Sequence, residues 1–166
     1  MVMTGLRLGF RTSDVINLKL ADIDWIHKEV RIIQYKTKVP IRLPLSTDVG
    51  NAIFRYLKYG RPSHASEYIF IRHKAPYGML SGKICSNALN RILHACGFES
   101  SVAFHTLRKT FATNILKNNA GIERVVDALG HQDQTTVAKY LTYDDEHMRK
   151  CPLSLGDLAI EMGGVY

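Results

Sequence analysis

The stretch from His105 to Tyr140 constrains this chain more than any other part of the sequence. It contains a His-Thr-Leu-Arg segment, a Leu-Gly-His segment at 129–131 and a Thr-Thr-Val-Ala-Lys-Tyr segment at 135–140. Glycines divide the stretch into short helical segments. An ordinary core helix does not require this ordered set of histidine, arginine and tyrosine, and the set suits chemistry on a phosphate.

The side chains of this stretch match what a phosphate reaction demands. Attack on a phosphodiester places negative charge on the non-bridging oxygens, which guanidinium and imidazole donors can stabilise. Because Arg108 follows His105 by three residues, both side chains project from one face of a helix that begins near Phe104. Imidazole can donate or carry a proton near neutral pH. A positive field of this kind also lowers the cost of forming a tyrosine phenolate, which is the nucleophilic form.

Two further arginines near the start of the chain suit such a site. Arg7 lies in Thr-Gly-Leu-Arg and Arg11 in Gly-Phe-Arg-Thr-Ser-Asp. Thr12 or Ser13 can cap a helix that runs to about Leu20, which predicts that Arg11 lies where a loop meets that helix. From residue type alone, either arginine could equally be a surface cation.

Two β-rich runs, 30–33 and 39–45, predict a hairpin whose tip carries Lys36 and Lys38. Prolines at the margins of the second run suit the ends of an edge strand. A third strand at 67–71 is expected to complete a small antiparallel sheet. Lysines at hairpin tips usually serve solubility, so residue type alone leaves the role of both lysines open.

Apolar periodicity predicts helices around this sheet. The expected helices are 48–59 after a Ser46 cap, a helix from Ser81 or Ser86 to 95, 104–119 and 122–129. Ile84, Leu89, Ile92 and Leu93 are expected to point inward, whereas Arg108 is expected to face solvent or substrate. The whole pattern predicts an α+β, helix-rich fold in which helices surround a small three-stranded antiparallel sheet.

Composition limits the partners. The chain has 166 residues, of which 46% are apolar, and this suffices for one domain with its own core. A formal charge of +7 and a pI of about 9.4 favour an anionic partner, most often nucleic acid. Cys85, Cys96 and Cys151 are far apart, which predicts reduced thiols in a cytoplasmic protein.

Other classes of partner are not expected. No stretch has the length and hydropathy of a membrane span. His105 and His131 lack the close-spaced companions of a zinc site. We therefore expect no metal, no cofactor, no membrane association and no small-molecule substrate.

The ordered residues resemble the catalytic domain of the tyrosine recombinases, the phage integrase family. That family carries an arginine in a Gly-x-Arg-x-Ser-Glu-like turn, a hairpin lysine, His-x-x-Arg, Leu-Gly-His and then a tyrosine. The resemblance implies the DNA breaking-rejoining (integrase catalytic) fold and a catalytic set of Arg11, Lys36, His105, Arg108, His131 and Tyr140. The alternatives within this set are Arg7 for the first arginine, Lys38 for the lysine and Tyr143 for the tyrosine.

The resemblance also implies an activity, that of a site-specific recombinase or integrase of a mobile element such as a phage or transposon. Tyr140 would attack a phosphate of double-stranded DNA to form a 3′-phosphotyrosyl intermediate. Lys36 would protonate the departing oxygen, and the other four residues would hold the phosphate. Strands would rejoin by the reverse transesterification, without metal or ATP. Within the family, the segment near 148–155 resembles recombinases of Tn554-type transposons.

The extent of the resemblance predicts the domain boundaries. A catalytic domain is expected over 1–147, with a tail at 148–166. Family members have further residues and a helical core-binding domain upstream, so we expect this sequence to be N-terminally truncated. They also exchange such tails between the subunits of DNA-bound tetramers, and the apolar residues of 153–162 suit either that exchange or coverage of their own domain.

The rival hypothesis is a catalytically inactive DNA-binding fragment or accessory module. It shares the charge and the helices, and it differs in forming no covalent bond to DNA.

Overall fold

A computed structural model describes residues 1–99, 101–117 and 122–130. The helices of this part are α1 Val2–Leu8, α2 Thr12–Ile16, α3 Thr47–Arg55, α4 Gly82–Ala95, α5 Phe104–Lys117 and α6 Ile122–Leu129. The strands are β1 Ile23–Asp24, β2 Glu29–Ile33 and β3 Pro40–Pro44, which form one antiparallel sheet in the order β1-β2-β3. The prediction of a helix-rich α+β fold with a small three-stranded antiparallel sheet is confirmed.

The predicted hairpin is present, but the predicted third strand is wrong. Strands β2 and β3 pair in register from Glu29 opposite Pro44 to Ile33 opposite Pro40. The third strand is β1, which precedes the hairpin. The segment 67–71 makes only isolated bridges at Tyr68 and Ile71. Its apolar residues are buried in the core instead, and a short buried apolar run cannot be told from a strand by its pattern.

Helix α1, which the sequence pattern did not predict, packs directly against α5. Gly5 permits this close approach, because a Cβ atom there would lie 2.9 Å from Phe104 and 3.0 Å from Leu107. Leu6 and Leu8 are buried in the same core. Glycines inside and just after a seven-residue helix obscured its pattern.

Two predicted helices differ in detail. Helix α2 ends at Ile16 rather than near Leu20, and its N-cap is Arg11 rather than Thr12 or Ser13. Helix α3 begins after Ser46 as predicted, and a π-helical turn, Tyr56–Gly60, continues it. The contacts of Asp14, described below, account for the early position of the α2 cap.

Helix α4 begins after Ser81, one of the two predicted N-caps. The Ser81 hydroxyl accepts a hydrogen bond from the N–H of Ile84 at 3.4 Å. The predicted inward positions of Ile84 and Ile92 are wrong, since they are 38% and 50% exposed. Leu89 and Leu93 are buried as predicted, and Cys85 completes the buried stripe. The buried face of this helix therefore includes Cys85 and excludes Ile84 and Ile92.

No helix of the described residues has both the length and the hydropathy needed to cross a membrane.

Candidate active site

Arg108 lies in the interior and links distant segments of the chain. Only 5% of its surface is exposed, so the expectation that it faces solvent is wrong. Nη1 donates a hydrogen bond to the carbonyl oxygen of Gly9 at 2.6 Å, and Nη2 donates one to that of Leu129 at 2.7 Å. A guanidinium presents its donors in a rigid fork, so two such bonds fix the plane and position of the group.

The carbonyl of Leu129 receives a second donor. Gln34 Nε2, just after the hairpin strand β2, donates to it at 2.9 Å. The last carbonyls of a helix have no partner within the helix, and here two side chains satisfy one at the end of α6. The chain then turns at Gly130, which has a φ of +58°.

The three segments that meet around Arg108 are the ones that carry other predicted site residues. Gly9 lies two positions before Arg11, Gln34 lies two before Lys36, and Leu129 lies two before His131. Two of these segments therefore bond directly to the guanidinium, and the third joins them through the shared Leu129 carbonyl, although all three are far apart along the chain.

Arg11 occupies the N-cap of α2 and is half-buried. Its Nη1 is a buried donor with no hydrogen-bond partner among the described residues. A buried polar atom without a partner costs free energy. An anion that bound beside Arg11 would remove that cost, because guanidinium and phosphate oxygens form strong charge-assisted hydrogen bonds.

Asp14 ties the segment of Arg11 to the hairpin tip. The carboxylate is buried. Oδ2 accepts the backbone N–H of Arg11 at 3.3 Å, and Oδ1 accepts that of Tyr35 at 2.9 Å. The sequence pattern did not predict this link, because nothing in it identifies Tyr35 as a partner of Asp14.

Arg7, the alternative first arginine, is engaged elsewhere. It is exposed, and its Nε forms an ion pair of 2.9 Å with Asp48 Oδ2 at the start of α3. Partial burial works to raise the pKa of Asp48, but hydrogen bonds from Ser46 and the backbone of Val49, together with Arg7, lower it overall. Arg7 thus stabilises a carboxylate away from the contacts of Arg108.

The two candidate lysines differ in their surroundings. Lys38 belongs to the turn itself, with a φ of +57° and its ammonium 4.8 Å from the centroid of the Tyr35 ring. Its backbone N–H donates to the carbonyl of Gln34 at 2.9 Å. Lys36 is exposed, and its side chain has no hydrogen bond or ion pair to the described residues. Lys36 is therefore the lysine whose ammonium is available to a bound molecule.

His105 lies in the first turn of α5, one turn before Arg108, and its side chain is exposed. His131, Tyr140 and the alternative Tyr143 lie outside the described residues, as does the tail 148–166 with its Tn554-like segment. The described part of the candidate site therefore consists of Arg11, Lys36, His105 and Arg108, with Asp14 and Gln34 as residues that hold its segments together.

Comparison with known protein families gives one match over most of the chain. The model described as the phage integrase family matches residues 1–147. A Sinorhizobium fredii protein described as an integrase/recombinase, y4rA, is 34% identical over 155 residues, covering 92% of this chain and 37% of that protein. The tyrosine recombinase XerD of Lacticaseibacillus casei is 29% identical over 150 residues, covering 84% of this chain and 48% of that protein.

Solved structures share the fold. The crystal structure of XerA recombinase superimposes with a TM-score of 0.75 at 23% identity, covering 89% of this chain and 53% of that one. XerH site-specific recombinase bound to its difH substrate gives a TM-score of 0.71 at 19% identity, covering 90% of this chain and 42% of that one. The chain spans about half the length, or less, of these relatives.

Proposed function

Because the chain belongs to the phage integrase family, we propose that it is the catalytic part of a site-specific DNA recombinase. The observation that carries the proposal is the convergence of Gly9, Gln34 and Leu129 on or beside Arg108. Each of these contacts precedes a residue that the reaction needs. These contacts support the proposal that Arg11, Lys36 and His131 act together on one phosphate.

The proposed reaction is a transesterification at a DNA phosphate. The phenol oxygen of Tyr140 forms a bond to phosphorus, and the bond from phosphorus to the 5′ oxygen breaks, which leaves a 3′-phosphotyrosyl linkage and a free 5′-hydroxyl. Lys36 supplies the proton that the 5′ oxygen takes up. His105, on the exposed face of α5, accepts the proton that the phenol loses. A hydroxyl of a partner strand then reverses the step.

The remaining residues stabilise the negative charge on the phosphate oxygens. Arg11 and Arg108 place guanidinium groups beside the non-bridging oxygens, with His131 as a further donor. Such fixed donors are most effective where burial reduces the competition from water, as it does around Arg108. The buried Nη1 of Arg11 gains the partner that it lacks among the described residues.

Double-stranded DNA is the proposed partner. The formal charge of +7 suits a polyanion, and the similar XerH recombinase was crystallised bound to its difH substrate. We also propose that the protein assembles as a tetramer on DNA, with the 148–166 tail exchanged between subunits, and that it acts in the cytoplasm. Neither metal nor cofactor takes part in the proposed chemistry.

A nicked suicide substrate tests the activity. Cleavage next to the nick releases a short strand that diffuses away, so the covalent intermediate accumulates as a band that survives denaturing electrophoresis. We expect this band with the wild-type chain and with Tyr143→Phe, and we expect none with Tyr140→Phe. An adduct with Tyr140→Phe that is lost in Tyr143→Phe would move the nucleophile to Tyr143.

The same experiment separates the rival function. A catalytically inactive DNA-binding module would bind the substrate in a gel-shift assay and give no adduct in any variant. That outcome with the wild-type chain, and also with a longer protein in which a core-binding domain of the family precedes it, would refute the proposed activity.

A further inference from the structure

Gln34 is a fully buried polar residue, and each of its polar atoms has a hydrogen-bond partner. Its side-chain Nε2 donates to Leu129 O, and its Oε1 accepts the hydroxyl of Thr37 at 2.5 Å. Its backbone N–H donates to Val39 O at 2.9 Å, and its carbonyl accepts the N–H of Lys38 at 2.9 Å. One residue thus closes the hairpin tip and joins it to the end of α6.

The surroundings of Gln34 combine the buried guanidinium of Arg108, which donates to the same Leu129 carbonyl, with apolar side chains. Ile32, Ile41 and Leu129 are buried beside it. A leucine of similar size would satisfy the packing there, but it would remove one donor from the Leu129 carbonyl and the acceptor of the Thr37 hydroxyl. Burying polar groups without partners costs free energy, so a network of this kind favours one arrangement of the segments it joins.

Gly130 shows how closely the two segments fit. A Cβ atom at this position would lie 2.7 Å from Gln34 Oε1 and 2.7 Å from Ile41 Cδ1. The hairpin tip and the turn after α6 therefore leave no room for a side chain between them, and a shift of one requires a shift of the other.

We propose that Gln34 is a positioning residue that holds the Lys36 ammonium in place for proton transfer to the leaving oxygen. This inference rests on the proposed recombinase function. Lys36 lies between Gln34 and Lys38 in the turn that the Gln34 contacts close, and its own side chain has no contact in the described structure that could position it. The Gln34 amide and the Arg108 guanidinium both donate to the Leu129 carbonyl. The position of Lys36 relative to Arg108 therefore depends on the Gln34 amide.

The test separates proton donation from the rest of the reaction. Nicked suicide DNA is prepared with the ordinary 5′ oxygen at the scissile bond, or with sulfur in its place. A thiol has a pKa of about 8.5, far below that of an alcohol, so the thiolate departs without a proton donor. With the oxygen substrate, Gln34→Leu is expected to form adduct between about tenfold and a hundredfold more slowly than wild type. With the sulfur substrate, its rate is expected to return to the wild-type rate.

Three controls make the result interpretable. Lys36→Ala should show the same rescue by sulfur, to at least the same extent. Thr37→Val removes only the bond to Gln34 Oε1 at a half-buried position, so it should fold and show a smaller loss that sulfur also rescues. Thr47→Val, on the exposed start of α3, should match wild type on both substrates. Circular dichroism melting shows which variants are folded at the assay temperature.

Several outcomes would overturn the inference. An equal loss on both substrates in Thr37→Val or in a folded Gln34→Leu would show that the network acts on the fold or on phosphate binding. An unchanged adduct rate in both variants would show that Lys36 does not depend on the Gln34 network. Failure of sulfur to rescue Lys36→Ala would remove the proton donor that Gln34 is proposed to hold. By contrast, if neither the wild-type chain nor the longer protein with a preceding core-binding domain forms adduct on either substrate, the proposed function itself is refuted.

Discussion

Asp14 accepts the backbone N–H of Tyr35 at 2.9 Å and so joins the first turn of α2 to the hairpin tip. The other oxygen of the same carboxylate accepts the N–H of Arg11. One buried side chain therefore sets the distance between the segment of the first arginine and that of the lysine, which are separate in sequence.

Replacing Asp14 by alanine should destabilise the protein. Two partly buried backbone donors lose a charged acceptor, and a hydrogen bond to a charged group contributes about 1.5 to 3 kcal/mol. We expect the free energy of unfolding to fall by at least about 1.5 kcal/mol in urea titrations. Asp127→Ala, at an exposed position of α6, is the matched control and should change it by less than about 0.5 kcal/mol. Equal small changes in both variants would contradict the role assigned to Asp14.

Gly9 should not tolerate a side chain. Its φ of +64° lies in the left-handed region, and a Cβ atom would lie 2.3 Å from Phe111 Cδ1. The conformation alone costs a non-glycine residue about 1 to 2 kcal/mol, and overpacking adds about 1 to 3 kcal/mol. Gly9→Ala should therefore lower the free energy of unfolding by at least about 2 kcal/mol.

The control for Gly9 is Gly78→Ala, because a Cβ atom there meets nothing within 4 Å. Its stability should stay within about 0.5 kcal/mol of wild type. Because Gly9 O accepts a hydrogen bond from Arg108, Gly9→Ala should also reduce adduct formation under conditions where it is folded. A Gly9→Ala variant as stable as Gly78→Ala would show that the α1 end can move away from α5.

The two described cysteines should react at different rates. Cys85 is buried and its burial raises the pKa of the thiol, whereas Cys96 is exposed at the end of α4. The thiolate is the reactive form, so the raised pKa of Cys85 adds to its burial in slowing its reaction. Iodoacetamide labelling at about pH 8, followed by peptide mass spectrometry, should modify Cys96 first. Equal labelling of the folded protein would show that α4 opens readily.

Local pattern was sufficient to predict the elements that carry most site residues. The β-rich runs gave the hairpin, and apolar periodicity gave α4, α5 and α6 close to their bounds. These elements are long or regular enough for their own residues to determine them. Helix α1 and strand β1 are short, contain glycine or polar residues, and depend on packing against distant partners, so no local pattern predicted them.

The contacts that assemble the candidate site could not be predicted in the same way. Arg108 and Gly9 are 99 positions apart, and Gln34 and Leu129 are 95 apart. The acceptors are main-chain carbonyls, which every residue possesses, so residue type carries no information about the pairing. This is why Arg108 was expected to face solvent or substrate, and why the contacts of Gln34 and Asp14 were not predicted.

The first arginine can be assigned by comparing Arg11→Ala with Arg7→Ala. Arg7 takes part in an exposed ion pair with Asp48, and such pairs contribute at most about 1 kcal/mol, so Arg7→Ala should lower stability slightly and leave adduct formation unchanged. Arg11→Ala removes a buried donor that has no partner in the described residues, and stability should not fall through that atom. Its adduct rate should drop by about a hundredfold to a thousandfold, as when one donor to a developing anion is lost. The reverse pattern, with loss of adduct in Arg7→Ala alone, would transfer the role to Arg7 and require α1 to turn its exposed face toward the phosphate.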